Sequence, residues 1–200
     1  MDSQYFGMKQ VDPASLSSIT ISYPEQSMDL KLRNLNVTGA RWTKLIDRRF
    51  NLADGKSGVI FTSDLHVIAD VLLNMADTIE PHSAQITMDI QNVESNITYS
   101  WFGHRAIDKE DYILIGQERI AVRNSRTPTY FLQPGNFKES RLVRNEALQK
   151  KPSILDHLSN EITAALMHTI IENFRLFAQK VPVKFYYKYS QYFMFYFTYT

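Results

Sequence analysis

Residues 63–79 read SDLHVIADVLLNMADTI, and how this stretch folds decides how the chain is built. Leu65, Ile68, Leu72, Met75, Ala76 and Ile79 recur three or four residues apart, the spacing that lines one face of an α-helix. Ser63 or Asp64 can accept a hydrogen bond at its N-terminus, and Pro81 stops it. The spacing predicts a helix here. Trp42, Leu45, Ile46 and Phe50 predict a shorter one over Ala40–Asn51. A third opens at Ser153 with a Ser-x-x-Asp start after Pro152. Its stripe of Leu155, Leu158, Ile162, Ala165, Leu166, Ile170, Phe174 and Phe177 continues for about six turns, until Pro182 ends it.

Around these helices the chain alternates with a period of two, as strands do. Ser18–Tyr23 and Met28–Val37 alternate on either side of Pro24 and predict a hairpin, the second run slipping phase before Leu35. Gly58–Phe61 predicts a short strand. Ala84–Gln91, Asn96–Phe102 and Asp111–Arg123 are rich in β-branched and aromatic residues, with Gly116 marking a turn or bulge. Residues 124–137 hold Pro128, Pro134 and Gly135 and predict a loop with at most the short strand TYFL. Without a regular βαβ alternation, the expected class is α+β: a mainly antiparallel sheet packed with two to three amphipathic helices, plus an aromatic C-terminal strand or hairpin. Residues 1–182 are expected to form one domain and residues 183–200 an aromatic tail.

Composition narrows the function classes. The chain has 200 residues, 44% hydrophobic and 22% charged, which suits one globular domain. A net charge of +1 argues against a generally basic nucleic-acid binder. The charge is divided, however: residues 1–100 carry 8 Lys/Arg against 12 Asp/Glu, and residues 101–200 carry 14 against 9. The lack of cysteine excludes disulfides, thiolate zinc sites and thiol nucleophiles. The opening MDSQYFGMKQVDP has neither the basic start nor the apolar run of a secretory signal. On that ground Asn36-Val-Thr38 and Asn96-Ile-Thr98 are read as chance matches to the glycosylation pattern, and the expected location is intracellular and cytoplasmic, with a virion as the alternative. No apolar run is long enough for a transmembrane helix.

Candidate chemistry is sparse. Asp54-Gly-Lys56-Ser57-Gly58 resembles the end of a phosphate-binding loop, but Phe50 stands where the earlier glycine belongs, so a polar turn is the better reading. His157 and Glu161, and His168 and Glu172, are four residues apart on one helix, a spacing that suits metal ligation or acid–base chemistry. The two pairs lie roughly 10 Å apart at their nearest members, so each would need ligands from elsewhere. A solvated helix face is the better reading, and His66 and Asp70 repeat the pattern. Asp89, Glu94, Asp111 and Glu118 lie on or beside central strands, where a metal-dependent nuclease would place its acids, at no recognisable spacing. No catalytic residue, cofactor or metal is assigned, and the enzyme reading is the weaker one.

Two regions suggest partners. Arg119, Arg123, Arg126, Tyr130, Lys138, Arg141, Arg144, Lys150 and Lys151 combine cations with a ring able to stack, as single-stranded nucleic acid or RNA would require. The last seventeen residues hold ten Phe or Tyr. Phe193, Phe195, Phe197 and Tyr199 alternate along an extended chain that could complete the protein's own sheet or be exchanged with a second copy. The sequence thus favours a non-catalytic assembly protein forming homo-oligomers, of viral coat, matrix or movement type. A nucleic-acid-binding module and a metal-dependent hydrolase or nuclease are the alternatives.

Overall fold

The computed structural model describes residues 7–24, 27–51, 55–75, 81–107, 110–135 and 152–185. Eight strands form one antiparallel sheet: β1 (Ala14–Leu16), β2 (Ile19–Tyr23), β3 (Met28–Thr38), β4 (Lys44–Asn51), β5 (Lys56–Met75), β6 (His82–Ile107), β7 (Glu110–Arg123) and β8 (Thr129–Pro134). A single α-helix among the described residues, α1 (Pro152–Lys180), packs on it. The strand order is β1-β3-β5-β6-β7, with β2 also on β3, β4 also on β5 and β8 also on β6.

This topology follows from strand length. β5 has 20 residues and β6 has 26, several times the usual strand. Each can therefore hold two shorter strands in succession along one edge. β4 pairs with the first part of β5 and β3 with the rest. β7 pairs with the second half of β6, and β8 with Ala84–Asp89.

The helix expected over residues 63–79 is corrected: Ser63–Met75 belong to β5, and residues 76–79 lie outside the described residues. Leu65, Val67, Ala69 and Val71 are buried in alternation, while His66 is exposed and Ile68 is 40% exposed on the other face. The segment satisfies both periods, and its β-branched residues and long partner strand decide for the strand. The expected helix over Ala40–Asn51 is corrected too. Ala40–Trp42 form one 3-10 turn and Lys44–Asn51 are β4. Among the described residues the architecture is thus one large sheet with one long helix, not a sheet with two to three helices. Any C-terminal strand or hairpin after Phe185 lies outside the described residues.

The inner row of the sheet includes Leu30, Leu32, Val37, Val67, Met88, Ile90 and Ile97, all 0–1% exposed. α1 lays Leu158, Ile162, Leu166 and Met167 on it, each wholly buried. Pro152 suits the first turn of the helix, where its missing N–H costs nothing, and Pro182 lies just beyond the last turn. α1 spans 29 residues, about 43 Å at the helical rise.

Gly39 links β3 to the 3-10 turn. Its φ of 101° is in the left-handed region, and a Cβ there would lie 2.3 Å from the Asp64 carbonyl oxygen of β5. Only glycine fits. Gly39→Ala is therefore expected to destabilise by roughly 2 kcal/mol or more, combining backbone strain with a clash against fixed backbone. Urea denaturation of the two proteins checks this; equal midpoints would contradict the account.

Candidate functional site

The seam between α1 and the inner face of β6 and β7 is closed at its ends by polar contacts and is apolar between them. At one end, Asn124, which follows β7, donates from Nδ2 to the Asp156 carbonyl (3.2 Å) and to Ser159 Oγ (2.5 Å). Beside it, Tyr23 of β2 donates its hydroxyl to the Ile154 carbonyl (3.4 Å) and meets the His157 ring edge-on at 5.8 Å. On another side of α1, Asn173 exchanges two hydrogen bonds with the backbone of Lys9, at 2.7 and 2.8 Å.

The other end is a charge clamp. Arg175 donates to the backbone carbonyls of Ile115 (3.1 Å) and Gly116 (2.8 Å), to Glu118 Oε2 (2.6 Å) and to Glu172 Oε1. The second oxygen of Glu118 is hydrogen-bonded to His168 Nδ1. The Glu118 side chain is only 6% exposed. Burial pushes its carboxyl upward, but hydrogen bonds from Arg175, its own backbone N–H and His168, with the Arg175 charge, together hold it below the usual carboxylate range. Glu118, His168 and Glu172 each bring one ligand atom within 4.8 Å of the others, close enough to hold a cation. Arg175 already donates a hydrogen bond to each of the two carboxylates, so both serve as parts of the clamp.

Between the ends, Ile97, Ile120 and Val122 of the sheet belong to the same core as Leu158, Ile162 and Leu166 of α1, and Tyr99 meets Phe174 edge-on at 6.3 Å. Two hydroxyls interrupt this apolar surface. Ser95 and Thr163 are both 0% exposed, and neither side-chain oxygen has a hydrogen-bond partner among the described residues. Ser95 stands opposite Val122 in the inner row, and Thr163 lies one helical turn beyond Ser159. Buried polar atoms ordinarily find partners, so an interior with such hydroxyls suits a guest that brings one.

The outer face carries open clefts, two of which bear on the candidate residues. One, of about 490 Å³, is lined by Asp64, His66, Asp89 and Arg126, with His66 Nδ1 2.6 Å from Asp89 Oδ1. The other, of about 800 Å³, runs over Arg49, Lys56, Gly58, Thr98 and Arg119.

The residues singled out in the sequence are scattered by the fold. Arg119 and Arg123 are exposed on the outer face of β7 and Arg126 is exposed beyond it. Tyr130 of β8 turns inward against the core, opposite Met88, so its ring is not beside those arginines. Lys138, Arg141, Arg144, Lys150 and Lys151 lie outside the described residues, as do Phe193, Phe195, Phe197 and Tyr199. Of the strand acids, Asp89 faces His66, Glu94 and Asp111 are exposed, and Glu118 alone points to α1. His66 and Asp70 do not share a helix: Asp70 accepts from Asn34 of β3 at 2.6 Å. His157 and Glu161 form a half-exposed pair at 3.6 Å. His168 and Glu172 are joined by a residue from another element, Glu118. Arg175, Asn124, Ser95 and Thr163 carried no motif. The one signal for Thr163 was its polarity on the face that also holds Ser159 and Met167.

No family model matches the chain. A juvenile hormone-binding protein of Manduca sexta is 26% identical over 132 residues, 64% of this chain and 56% of that protein. The chain thus spans little more than half the length of this relative. The crystal structure of Takeout 1 from Epiphyas postvittana superposes with a TM-score of 0.70 over 90% of this chain and 85% of that one, at 14% identity, which shows a shared fold. These likenesses correct the functional expectations. Two proteins this chain resembles are thus a hormone-binding protein and a Takeout protein. They are not viral coat, matrix or movement proteins, nucleic-acid-binding modules, or metal-dependent hydrolases or nucleases. Self-association and RNA partners lose their basis with that correction. No helix among the described residues is long and apolar enough to cross a membrane.

The clamp has a pH signature. A carboxyl held low in the folded protein stabilises it above the ordinary carboxylate range, and that contribution is lost as pH falls through the folded value. Glu118→Gln is expected to cost roughly 2 kcal/mol at neutral pH, because it leaves Arg175 half-paired in a largely buried setting. Melting curves of both proteins from neutral to acidic pH should converge as Glu118 protonates; parallel curves would show that Glu118 is not the clamp's charge.

Proposed function

We propose that this protein binds a small, largely apolar molecule in the seam between α1 and the inner face of β6 and β7. The observation that carries this reading is the likeness to a protein named for binding juvenile hormone, joined to an architecture shared with Takeout 1 over most of the chain. The chemistry of the seam supports it. An apolar interior with few polar groups suits a lipophilic guest, and the Ser95 and Thr163 hydroxyls can donate to an ester, carbonyl or hydroxyl oxygen at its polar end. The clamps fix both ends of the helix, so the guest is held by packing rather than by charge. Binding moves the guest's apolar surface out of water, worth about 25 cal/mol per Å² before ordering costs.

The test is displacement of a fluorescent fatty-acid-like probe. Saturable, stoichiometric binding, displaced by a terpenoid ester, is expected. Thr163→Val keeps the side-chain shape and removes an unpartnered hydroxyl, so thermal stability should hold or rise slightly. The variant should bind oxygenated ligands about tenfold more weakly, the loss of roughly one hydrogen bond, while hydrocarbon ligands bind as before. Absence of saturable binding would remove the reading.

A further inference from the structure

Three large apolar side chains sit in water within five residues of one another. Trp42 is 56% exposed, Leu45 53% and Ile46 59%. Single exposed apolar residues need no explanation, but a cluster on a sheet edge does. β4 pairs only with β5, so its other edge is free of ladder partners in the described sheet. The register between β4 and β5 shifts between Leu45 and Asp47, leaving Ile46 as an extra residue. That bulge breaks the alternation that would otherwise turn one of two neighbours inward, and Leu45 and Ile46 are both left outside.

The cluster is ringed by cations. Arg41, Lys44, Arg48 and Arg49 are all exposed, against two acids: Asp47, 3.0 Å from Arg49, and Asp12, 3.8 Å from Arg41. The Arg41 guanidinium lies 5.2 Å from the centre of the Trp42 ring. The cations continue from Arg49 into the 800 Å³ outer cleft, which Lys56 and Arg119 line together with one acid, Glu118, already bound to Arg175. There Arg49, Gly58, Thr98 and Arg119 are register neighbours on four adjacent strands. Gly58 has no side chain, so the row dips between two guanidiniums, with Lys56 lining the same cleft.

We propose that this edge docks on an anionic lipid surface, with Trp42, Leu45 and Ile46 entering the headgroup layer and the cations meeting lipid phosphates. Tryptophan and aliphatic side chains flanked by Lys and Arg are the combination that favours a membrane–water interface, where apolar burial and attraction to anionic lipid add. The occupant is argued from charge: the basic surround repels a second copy of itself and attracts a phosphate layer. This surface is separate from the α1 seam, and ligand binding measured without vesicles does not depend on it.

The test uses the full chain and vesicles of phosphatidylcholine, alone or with phosphatidylserine, in a sedimentation assay. Partitioning onto the anionic vesicles should be at least about tenfold stronger and should weaken as salt rises. Lys44→Glu with Arg48→Glu should lower it to the phosphatidylcholine value. Trp42→Ala with Ile46→Ser should reduce it about tenfold. All four positions are exposed, so melting temperatures should be unchanged, which separates loss of docking from loss of fold. Anionic vesicles should also shift tryptophan emission to the blue, and Trp42→Phe should abolish the shift while Trp101 remains. Equal binding to both vesicles, indifference to these substitutions, or no sedimentation would overturn the proposal.

Discussion

The pairing of β5 with β6 is the constraint on which the rest depends. Seventeen register pairs join Lys56–Leu73 to Ser100–His82, interrupted only where Asn92 adopts a left-handed φ of 51°. Asparagine tolerates that conformation, and its neighbours secure it: Asp64 accepts the Asn92 N–H at 2.7 Å and Thr62 donates to its side chain at 2.8 Å. Every other strand is laid directly or indirectly on this ladder. Its inner row alternates Leu65, Val67, Ala69 and Val71 with outward His66, Ile68 and Asp70, giving α1 one continuous apolar surface to cover. A one-residue slip would turn that row to water, so the burial itself fixes the register.

The helix is held on this surface by two different kinds of force. Apolar packing along Leu158, Ile162 and Leu166 supplies affinity without direction. Direction comes from the ends, where Asn124, Asn173 and Arg175 read specific backbone carbonyls. Such a division leaves the middle of the seam free of charged anchors, the place where a lipophilic guest could exchange with side-chain packing at least cost. The outer face, with its cations and exposed apolar edge, is chemically opposite to the seam, so the two proposed sites fall on different parts of the protein.

Legibility in the sequence tracked how local each signal was. The β2–β3 hairpin is visible because both strands alternate and lie side by side in the chain, and the phase slip before Leu35 is the bend at Asn34, whose φ is 50°. α1 is visible because its stripe persists over several turns. β5 is not, because Leu65, Ile68 and Leu72 mimic a helical face, and the partner that decides the matter, Ser83–Ile90, is ten or more residues away. Ala40–Asn51 misleads in the same way, since its exposed Trp42, Leu45 and Ile46 mimic a buried stripe. At the site, His168 and Glu172 were legible by spacing, but Glu118, 50 residues earlier, completes them only through the fold. Ser95 and Thr163 are ordinary residues in sequence. Their significance lies wholly in burial without a partner, which no spacing records.

The central claim is that the α1 seam is the binding site. Hydrogen–deuterium exchange, with and without a saturating terpenoid ester, tests it most directly. The account predicts slower exchange in Ser95–Tyr99 of β6 and in Leu158–Met167 of α1, where the guest would brace helix against sheet. Protection confined to the outer cleft around Arg49 and Arg119, or none anywhere, would contradict it.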